Sequence, residues 1–383
     1  MTGGDYKDRR TGFWRFLQWA AEGLFARRFR YTCEQIEADG PCLVISNHVT
    51  NSDPFFLGLA HKRAPLSFVA SEHIFRLGMI SKLIVKLLDP IPRSKAASGA
   101  STVKNCLKRL RAGEPVALFA EGDCTWNGIT KPVFPATGKL AKAAGVPLVT
   151  FRIEGGYLTK PRWAKKARIG RMHGAPVHVY GVSELKAMTA EEVTAAIDRD
   201  IYENAWTRQE AERVPYRSNK RAAGLERALF ICPECGGAFC MSSENNKLVC
   251  TGCHHEWEVD EYGFLSGGGF RTVAEWDEWQ KTAIRDVRGI SRGEGYLTRV
   301  GGAKKKCAYA LELPGGSAAI RLGETRLPYS EISDMAMVKT DRLLFTTGDG
   351  YYEIKSPRGV LRPFITAWEA FGHGGEVSPE RPA

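Results

Sequence analysis

A histidine and an aspartate five positions apart follow a short apolar run, and such a pair can move a proton. His48 and Asp53 lie within residues 46–54. On one continuous helix the two side chains would point about 140° apart, so the pair needs a loop that runs into a helix, and Pro54 suits the first helical turn. There Asp53 would fix the imidazole tautomer and His48 would act as a general base toward a hydroxyl. The alternative is structural: Asp53 caps the helix and His48 is a solvated loop residue.

Three further segments follow this pair along the chain. They are Arg93 after a short apolar stretch, Glu121-Gly122 at the end of an apolar run, and Val146-Pro147 before another apolar run. In this order the four segments resemble the motifs of the PlsC-like glycerolipid acyltransferases, the acylglycerol-phosphate acyltransferase family. The resemblance covers about residues 40–210 of the chain.

The resemblance implies an enzyme that moves a fatty acyl group from acyl-CoA or acyl-carrier protein to a hydroxyl of a lysophosphatidate-like glycerolipid. His48 would take the hydroxyl proton, Asp53 would orient His48, and the oxygen would attack the thioester directly. A covalent acyl-enzyme is not required, because the four motifs bring no nucleophilic serine or cysteine; Cys124 is interpreted as a small, partly buried residue. The substrate-binding residues implied by the resemblance are Asn47, Arg93, Glu121, Gly122, Val146 and Pro147, of which Arg93, Glu121 and Gly122 would form the acceptor pocket and Val146 and Pro147 would shape the acyl site.

The third motif departs from the family pattern. Where the family has Phe-Pro-Glu-Gly-Thr-Arg, this chain has Phe-Ala-Glu-Gly-Asp-Cys at residues 119–124. The arginine that would pair with a phosphate is therefore missing, and Asp123 adds a negative charge. Arg93, Lys139 and Arg152 are candidates for the replacement cation. We expect a glycerolipid or lysophospholipid hydroxyl as the acceptor, with lysophosphatidate as the leading single candidate.

Two Cys-x-x-Cys pairs, separated by 14 residues, predict a metal site. The spacing is that of a zinc ribbon, in which four thiolates hold one structural zinc ion and leave no open coordination position. The alternative is two redox-active dithiols, but the surrounding sequence lacks the alternating strand and helix pattern of such proteins. The predicted ligands are Cys232, Cys235, Cys250 and Cys253, and the spare candidates are Cys240, His254 and His255.

Apolar runs alternate with helical patterns over much of the first half of the chain. This pattern predicts an α/β fold, an acyltransferase-like mixed sheet with flanking helices. A capping box at Thr189 and Glu192 predicts a last helix through about Glu212. Short strands and a closing helix near the C-terminus resemble a small β-rich, pleckstrin-homology-like domain. The predicted strands are 42–46, 66–70, 115–120 and 147–153, and the predicted helices are 54–62, 74–88, 102–112 and 138–144.

These elements predict five segments along the chain. The predicted segments are an amphipathic membrane-surface helix at 1–40, an acyltransferase domain at 41–222, the zinc ribbon at 229–260, the β-rich domain at 290–372 and a disordered tail at 373–383.

Residues 13–30 predict a basic amphipathic helix that lies on a membrane surface. Its tryptophans suit the lipid interface and its C-terminal arginines suit anionic head groups. Residues 74–88 are a second candidate, and for both segments the alternative is a helix packed on the core. With no signal peptide and no run of 18 apolar residues, we expect peripheral attachment to the cytoplasmic face of a membrane. The predicted apolar stripe of the first helix is Phe13, Phe16, Leu17, Ala20 and Leu24.

Composition and charge indicate a folded protein and the kind of partner that it binds. The chain of 383 residues is 43% hydrophobic and 25% charged, which is typical of a folded globular protein. Residues 1–222 carry a net charge of +14 and residues 223–383 a net charge of −3. The first part therefore suits anionic partners such as a phosphorylated lipid, CoA or an acidic carrier protein. Two other functions stay open: an inactive lipid-binding or adaptor protein on the same fold, and a nucleic-acid-binding zinc-ribbon protein. The second is disfavoured because the ribbon half lacks a surplus of cations, so no nucleic-acid partner is expected.

Overall fold

The computed structural model describes residues 3–38, 40–71, 89–93, 99–299 and 302–372. The chain divides into two compact units. The first contains Met1–Thr125, Ile129–Thr159 and Ile169–Val214, and the second contains Trp126–Gly128, Lys160–Arg168 and Pro215–Ala383. The predicted helix at 74–88 and the predicted disordered tail at 373–383 lie outside the described residues.

A seven-stranded mixed sheet forms the centre of the first unit, in the order β1-β7-β6-β2-β5-β3-β4. Five neighbouring pairs are parallel and the pair β6–β7 is antiparallel. The α/β fold with a mixed sheet is therefore confirmed, and the four predicted strands correspond to β2, β3, β5 and β6. The seven strands are β1 (Tyr31–Cys33), β2 (Leu43–Ser46), β3 (Ser67–Ser71), β4 (Ile91–Arg93), β5 (Val116–Phe119), β6 (Leu148–Glu154) and β7 (Met172–Tyr180).

Eight helices flank this sheet within the described part of the first unit. The predicted capping box is present: the Thr189 hydroxyl accepts from the Glu192 amide at 3.1 Å. The helix predicted to run to Glu212 is instead two helices, because the Asn204 side chain caps a new one by accepting from the Trp206 amide at 3.0 Å. The helices are α1 (Gly3–Phe29), α2 (Asp53–Ala60), α3 (Gly99–Arg111), α4 (Ala136–Ala144), α5 (Gly156–Thr159), α6 (Val182–Ala187), α7 (Ala190–Asp200) and α8 (Ala205–Glu212).

The core of the first unit lies between the sheet and its helices. Strand β2 is buried along its whole length, as expected for a central strand covered on both faces. Apolar side chains of α3, α4 and α7 pack against it. Buried residues of this core include Leu43, Ile45, Val116, Leu140, Leu148, Val193 and Ile197.

Helix α1 packs within the first unit through Trp14 and Gln18, which are not part of the predicted apolar stripe. Trp14 is buried and its indole N–H donates to the His61 carbonyl at 3.3 Å, while Gln18 donates to the Gly58 carbonyl at 2.7 Å. The predicted stripe points away from this contact: Phe16 and Leu24 are each 57% exposed. The helix therefore has two apolar sides. Within the described residues, no helix has the length and apolar character needed to cross a bilayer.

The second unit contains two antiparallel sheets. A four-stranded sheet has the order β11-β10-β9-β8, and a seven-stranded sheet has the order β15-β14-β13-β12-β18-β17-β16. The predicted β-rich region ending in a helix is thus present. The strands of the first sheet are β8 (Met241–Glu244), β9 (Lys247–Cys250), β10 (Glu256–Val259) and β11 (Leu265–Ser266). The remaining elements are α9 (Val273–Ala283), β12 (Arg288–Arg299), β13 (Lys305–Pro314), β14 (Ala319–Leu322), β15 (Thr325–Pro328), β16 (Ile332–Val338), β17 (Arg342–Thr347), β18 (Gly350–Lys355) and α10 (Arg362–Phe371).

Candidate active site

The predicted proton-transfer pair is assembled at the carboxyl end of β2. His48 follows this strand in a loop, and Asp53 is the first residue of α2. The His48 Nδ1 atom lies 2.8 Å from Asp53 Oδ2. Because Asp53 accepts from Nδ1, the other ring nitrogen, Nε2, carries the lone pair that can accept a proton. The loop-to-helix geometry expected from the five-residue spacing is therefore present.

The Asp53 carboxylate is fully buried and held by several donors. Oδ2 also accepts from the Val49 amide at 2.6 Å and the Thr50 amide at 2.9 Å, and Oδ1 accepts from the Thr50 hydroxyl at 2.7 Å. Asp53 is thus fixed in one orientation by the loop that carries His48, and it can fix the imidazole in turn.

The imidazole of His48 lies between an aromatic ring and a thiol. The Phe119 ring stacks on it with centroids 4.3 Å apart, and Cys124 Sγ lies 3.3 Å from Nε2 and 3.4 Å from Nδ1. Burial by itself lowers the pKa of His48, but Cys124 and Asp53 favour the imidazolium more strongly, so the pKa lies well above the ordinary value of 6.5. His48 is therefore a stronger base than a solvated histidine. The sequence showed that Cys124 is present but gave no signal that it contacts His48.

Glu121 and Asn47 hold the backbone around His48. Glu121 is buried, and its two carboxylate oxygens accept from the His48 amide at 2.6 Å and the Lys131 amide at 2.7 Å. Burial raises the pKa of Glu121 to about 7 against the effect of these two donors. Asn47 is fully buried and exchanges two hydrogen bonds with the Ile153 backbone, at 2.9 and 2.8 Å. Both residues make positioning contacts in this structure, and the substrate contacts implied for them stay a prediction.

Arg93 and Gly122 lie close together beside the same edge of the sheet. A Cβ atom at Gly122 would lie 3.0 Å from Arg93 Nη1 and 2.7 Å from the Phe134 ring. Gly122 has φ +75°, a backbone conformation that favours glycine. The Arg93 guanidinium carbon lies 5.4 Å from the centroid of the Phe134 ring. A cation is therefore present next to the third motif, although the motif itself lacks its arginine.

The structure does not bring Val146 and Pro147 to this site. They precede the amino end of β6, which runs parallel to β2 with Leu148 opposite Leu43. His48 follows the carboxyl end of β2, roughly 20 Å away at about 3.3 Å per residue. Val146 and Pro147 therefore lie at the opposite end of these parallel strands from His48, and the acyl-site role implied for them stays a prediction.

The four predicted metal ligands do come together in the second unit. All four Sγ atoms lie within 4.8 Å of one another, and the pairs Cys232–Cys253 and Cys235–Cys250 are each separated by 3.8 Å. A tetrahedral zinc ion with Zn–S bonds of about 2.3 Å requires sulfurs about 3.8 Å apart. The donor set and its spacing therefore fit one zinc ion. Cys240 Sγ is near as well, 3.4 Å from Cys250 Sγ.

Comparison with known proteins agrees with the motifs. Residues 28–154 match the family model described as Acyltransferase. The chain is 24% identical over 148 residues to the 1-acyl-sn-glycerol-3-phosphate acyltransferase of Bacillus subtilis. The aligned residues make up 39% of this chain and 72% of that protein. It is 31% identical over 121 residues to a probable 1-acyl-sn-glycerol-3-phosphate acyltransferase of Mycoplasma genitalium, covering 30% of this chain and 44% of that protein.

A solved structure, the 1-acyl-sn-glycerophosphate acyltransferase PlsC from Thermotoga maritima, matches with a TM-score of 0.43 and 16% identity. The match covers 50% of this chain and 79% of that one. The matched family region contains the His48–Asp53 pair, Arg93 and Glu121-Gly122 in the predicted order. Residues 28–154 therefore match an acyltransferase domain, and the two relatives with which this chain aligns are named 1-acyl-sn-glycerol-3-phosphate acyltransferases.

Proposed function

We propose that this protein is an O-acyltransferase of phospholipid biosynthesis that moves a fatty acyl group from acyl-CoA or acyl-carrier protein to a hydroxyl of a glycerolipid, with lysophosphatidate as the leading acceptor. The observation that carries the proposal is the His48–Asp53 pair, joined at 2.8 Å at the carboxyl edge of a parallel sheet. Ligands of open α/β sheets bind at that edge. The curated relatives, whose names describe acylation of acylglycerol phosphate, support the same substrate class.

His48 acts as the general base in this reaction. Its Nε2 takes the proton of the acceptor hydroxyl while the oxygen attacks the thioester carbonyl, and Asp53 stabilises the imidazolium that forms. Collapse of the tetrahedral intermediate expels the thiolate of the donor, which takes the proton from His48. The products are an ester and a free thiol, and His48 returns to its neutral form.

Arg93 is the best-supported cation for an acceptor phosphate. It lies beside Gly122 at the third motif. Arg152 is already engaged, since its Nε donates to Glu154 at 2.9 Å and its Nη1 to the Asp200 carbonyl at 3.2 Å. Lys139 is exposed on α4. We therefore assign the role of the missing motif arginine to Arg93.

Helix α1 is the proposed membrane-contact element. Its outward side carries Phe16, Trp19 and Leu24, which are 57%, 74% and 57% exposed, and Arg27 and Arg28 occupy its last turn. Large apolar side chains with nearby arginines suit the interface of an anionic membrane. Lipid acceptors reside in membranes, so peripheral attachment to the cytoplasmic face through this side would bring the enzyme to them.

The zinc ion proposed for the four-cysteine site is structural. Four thiolates complete a tetrahedral shell and leave no position for a substrate or water. In small domains such a site contributes directly to folding. We therefore propose that zinc stabilises the ribbon and takes no part in acyl transfer.

A panel of acceptors tests the proposal. Purified protein is incubated with one acyl-CoA and, in turn, lysophosphatidate, glycerol 3-phosphate, other lysophospholipids and neutral alcohols, and the acylated products are measured by mass spectrometry. We expect transfer to lysophosphatidate or another glycerolipid hydroxyl. A double variant, Asp123→Thr with Cys124→Arg, restores the family sequence; a sharp gain on lysophosphatidate would place the native acceptor elsewhere among the glycerolipids. No transfer from acyl-CoA or acyl-carrier protein to any glycerolipid would contradict the proposal.

A further inference from the structure

Cys124 adds a thiol to the proton-transfer pair. Its Sγ atom lies 3.3 Å from His48 Nε2, and His48 is bonded through Nδ1 to Asp53 at 2.8 Å. A nucleophile, a base within its reach and a third group that orients the base are the arrangement of covalent catalysis. All three residues belong to the first compact unit, so the arrangement is complete within that unit.

The thiol covers one face of the imidazole. Because Sγ is almost equally far from Nε2 and Nδ1, at 3.3 and 3.4 Å, it lies over the His48 ring, opposite the stacked ring of Phe119. Sγ is thus within reach of Nε2 without being in line with its lone pair. Catalytic hydrogen bonds are often loose in this way before the substrate binds, and they tighten in the reacting complex.

The thiol of Cys124 is a better proton donor to His48 than a lipid hydroxyl is. A cysteine thiol has an ordinary pKa of about 8.5, far below that of an alcohol, and its thiolate is the nucleophilic form. Burial lowers the pKa of His48, but Cys124 and Asp53 raise it more strongly. The site therefore favours transfer of the thiol proton to the imidazole.

An acyl donor that reaches His48 also comes close to this thiol. The His48 side chain is 19% exposed, whereas Cys124 is 2% exposed and lies directly against the ring. A thioester carbonyl placed for attack by a hydroxyl at Nε2 is therefore also near Sγ. When no hydroxyl is bound, the thiol is the nucleophile next to the base.

We propose that Cys124 is a second acyl acceptor of this site, which takes the acyl group from the donor thioester when no lipid hydroxyl is bound. The inference rests on the proposed acyltransferase function and adds a branch to it. His48 takes the thiol proton, and the Cys124 sulfur attacks the donor carbonyl. The bond between that carbonyl and the donor sulfur breaks, and the donor thiolate takes the proton from His48. The products are a thioester of Cys124 and a free thiol.

A lipid hydroxyl that binds later is acylated from the Cys124 thioester. His48 takes the hydroxyl proton while the oxygen attacks the thioester carbonyl. The bond to the Cys124 sulfur breaks, and the Cys124 thiolate takes the proton from His48. The products are the lipid ester and the free thiol of Cys124, so the enzyme returns to its starting form.

Loading of the full chain without an acceptor tests the proposal. Wild-type protein is incubated with acyl-CoA alone, and its intact mass is measured. We expect the mass to rise by one acyl group, which tandem mass spectrometry maps to the peptide that contains Cys124 and neutral hydroxylamine removes as a thioester. After the donor is removed, addition of lysophosphatidate should discharge the acyl group from the protein and yield an equal amount of phosphatidate.

Three variants separate this reaction from nonspecific acylation of cysteines. His48→Ala should load Cys124 about 10²–10⁴-fold more slowly, because the base is missing. Cys124→Ala should lose the loading. Cys33→Ser is the matched control: Cys33 is a partly buried cysteine on β1 of the same unit, and its replacement should leave the loading unchanged. If Cys124→Ala does not fold, peptide mapping of the wild type still identifies the acylated residue.

Three results would overturn the inference while leaving the acyltransferase function intact. The first is a wild type that esterifies lysophosphatidate but carries no acyl group on Cys124 after incubation with acyl-CoA alone. The second is loading of Cys124 at the wild-type rate in His48→Ala. The third is a Cys124 thioester that lysophosphatidate does not discharge, although the enzyme turns over with both substrates present. Absence of both loading and transfer would refute the proposed function as well.

Discussion

Replacing Asp53 with asparagine separates the charge of this residue from its shape. With its amide oxygen in the place of Oδ2, asparagine can still accept from the Val49 and Thr50 amides, and its amide N–H₂ can donate to the Thr50 hydroxyl. The same amide oxygen can also accept the hydrogen bond that His48 Nδ1 donates to Asp53 in the wild type. The substitution therefore removes the negative charge beside the imidazole and little else.

The expected loss of rate follows from the ion pair that forms in the transition state. When His48 takes the acceptor proton, Asp53 and the imidazolium become opposite charges about 4 Å apart between their centres. At an effective dielectric constant of about 20 this attraction is worth about 4 kcal/mol, or about 10³-fold in rate. We expect Asp53→Asn to lower kcat by about that factor and to leave the KM for acyl-CoA within a few-fold.

The pH profile of the reaction gives a second readout. In the proposed mechanism neutral His48 is the base, so we expect kcat to rise with pH through the pKa of His48, which lies above 6.5. Asp53→Asn removes one of the groups that raise this pKa, so the rising limb should move to lower pH. Folding stability has the opposite dependence: the contribution of protonated His48 is complete below pH 6.5 and is lost as pH rises through the folded-state pKa.

Asp200→Asn controls for general damage. Asp200 is a buried carboxylate of the same unit that accepts from the Tyr180 hydroxyl at 2.6 Å and from the Thr150 hydroxyl at 3.0 Å. Its replacement should lower the free energy of unfolding without changing the pH profile. If Asp53→Asn turned over within threefold of the wild type with an unshifted profile, the assignment of Asp53 as the partner of a catalytic base would be refuted.

Three further predictions address the metal site, the membrane and the third motif. Cys232→Ser should lose about one zinc per chain by elemental analysis and destabilise the second unit while the first stays folded; full zinc content would contradict the ribbon assignment. Trp19→Ser and Leu24→Ser should each weaken sedimentation with anionic vesicles about tenfold or more, since a buried apolar side chain is worth about 1.5–3 kcal/mol; unchanged binding would exclude the exposed side of α1. Gly122→Ala should cost about 1–2 kcal/mol in chemical denaturation because of its positive φ and its contact with Phe134; wild-type stability would show that the backbone relaxes there.

The sequence predicted the central strands well because they are rich in apolar residues. Strand β2 is buried along its whole length, and β5 and β6 each begin with buried residues, as is typical of parallel strands that are covered on both faces. The contact between His48 and Asp53 was also predictable, since the five-residue spacing and Pro54 admit few geometries. Short-range sequence patterns were therefore enough to predict these strands and the loop that joins His48 to Asp53.

Features that depend on long-range packing were not predictable in the same way. In α1 both sides are apolar, and periodicity alone could not indicate that Trp14 would face the protein and Phe16 the solvent. The break before Asn204 divides one predicted helix into two, because a capping side chain competes with helix continuation. Val146 and Pro147 lie at the opposite end of the parallel strands from His48. The order of motifs along a chain does not indicate at which end of a strand each motif lies.

Acyl transfer by the wild type and by His48→Ala, measured side by side, shows whether His48 acts as the general base. The assay follows esterification of lysophosphatidate by acyl-CoA, with the product measured by mass spectrometry and folding checked by circular dichroism. We expect phosphatidate formation by the wild type and a rate about 10²–10⁴-fold lower in the folded variant, the usual contribution of a positioned base. Equal rates in the two proteins would contradict general-base catalysis by His48.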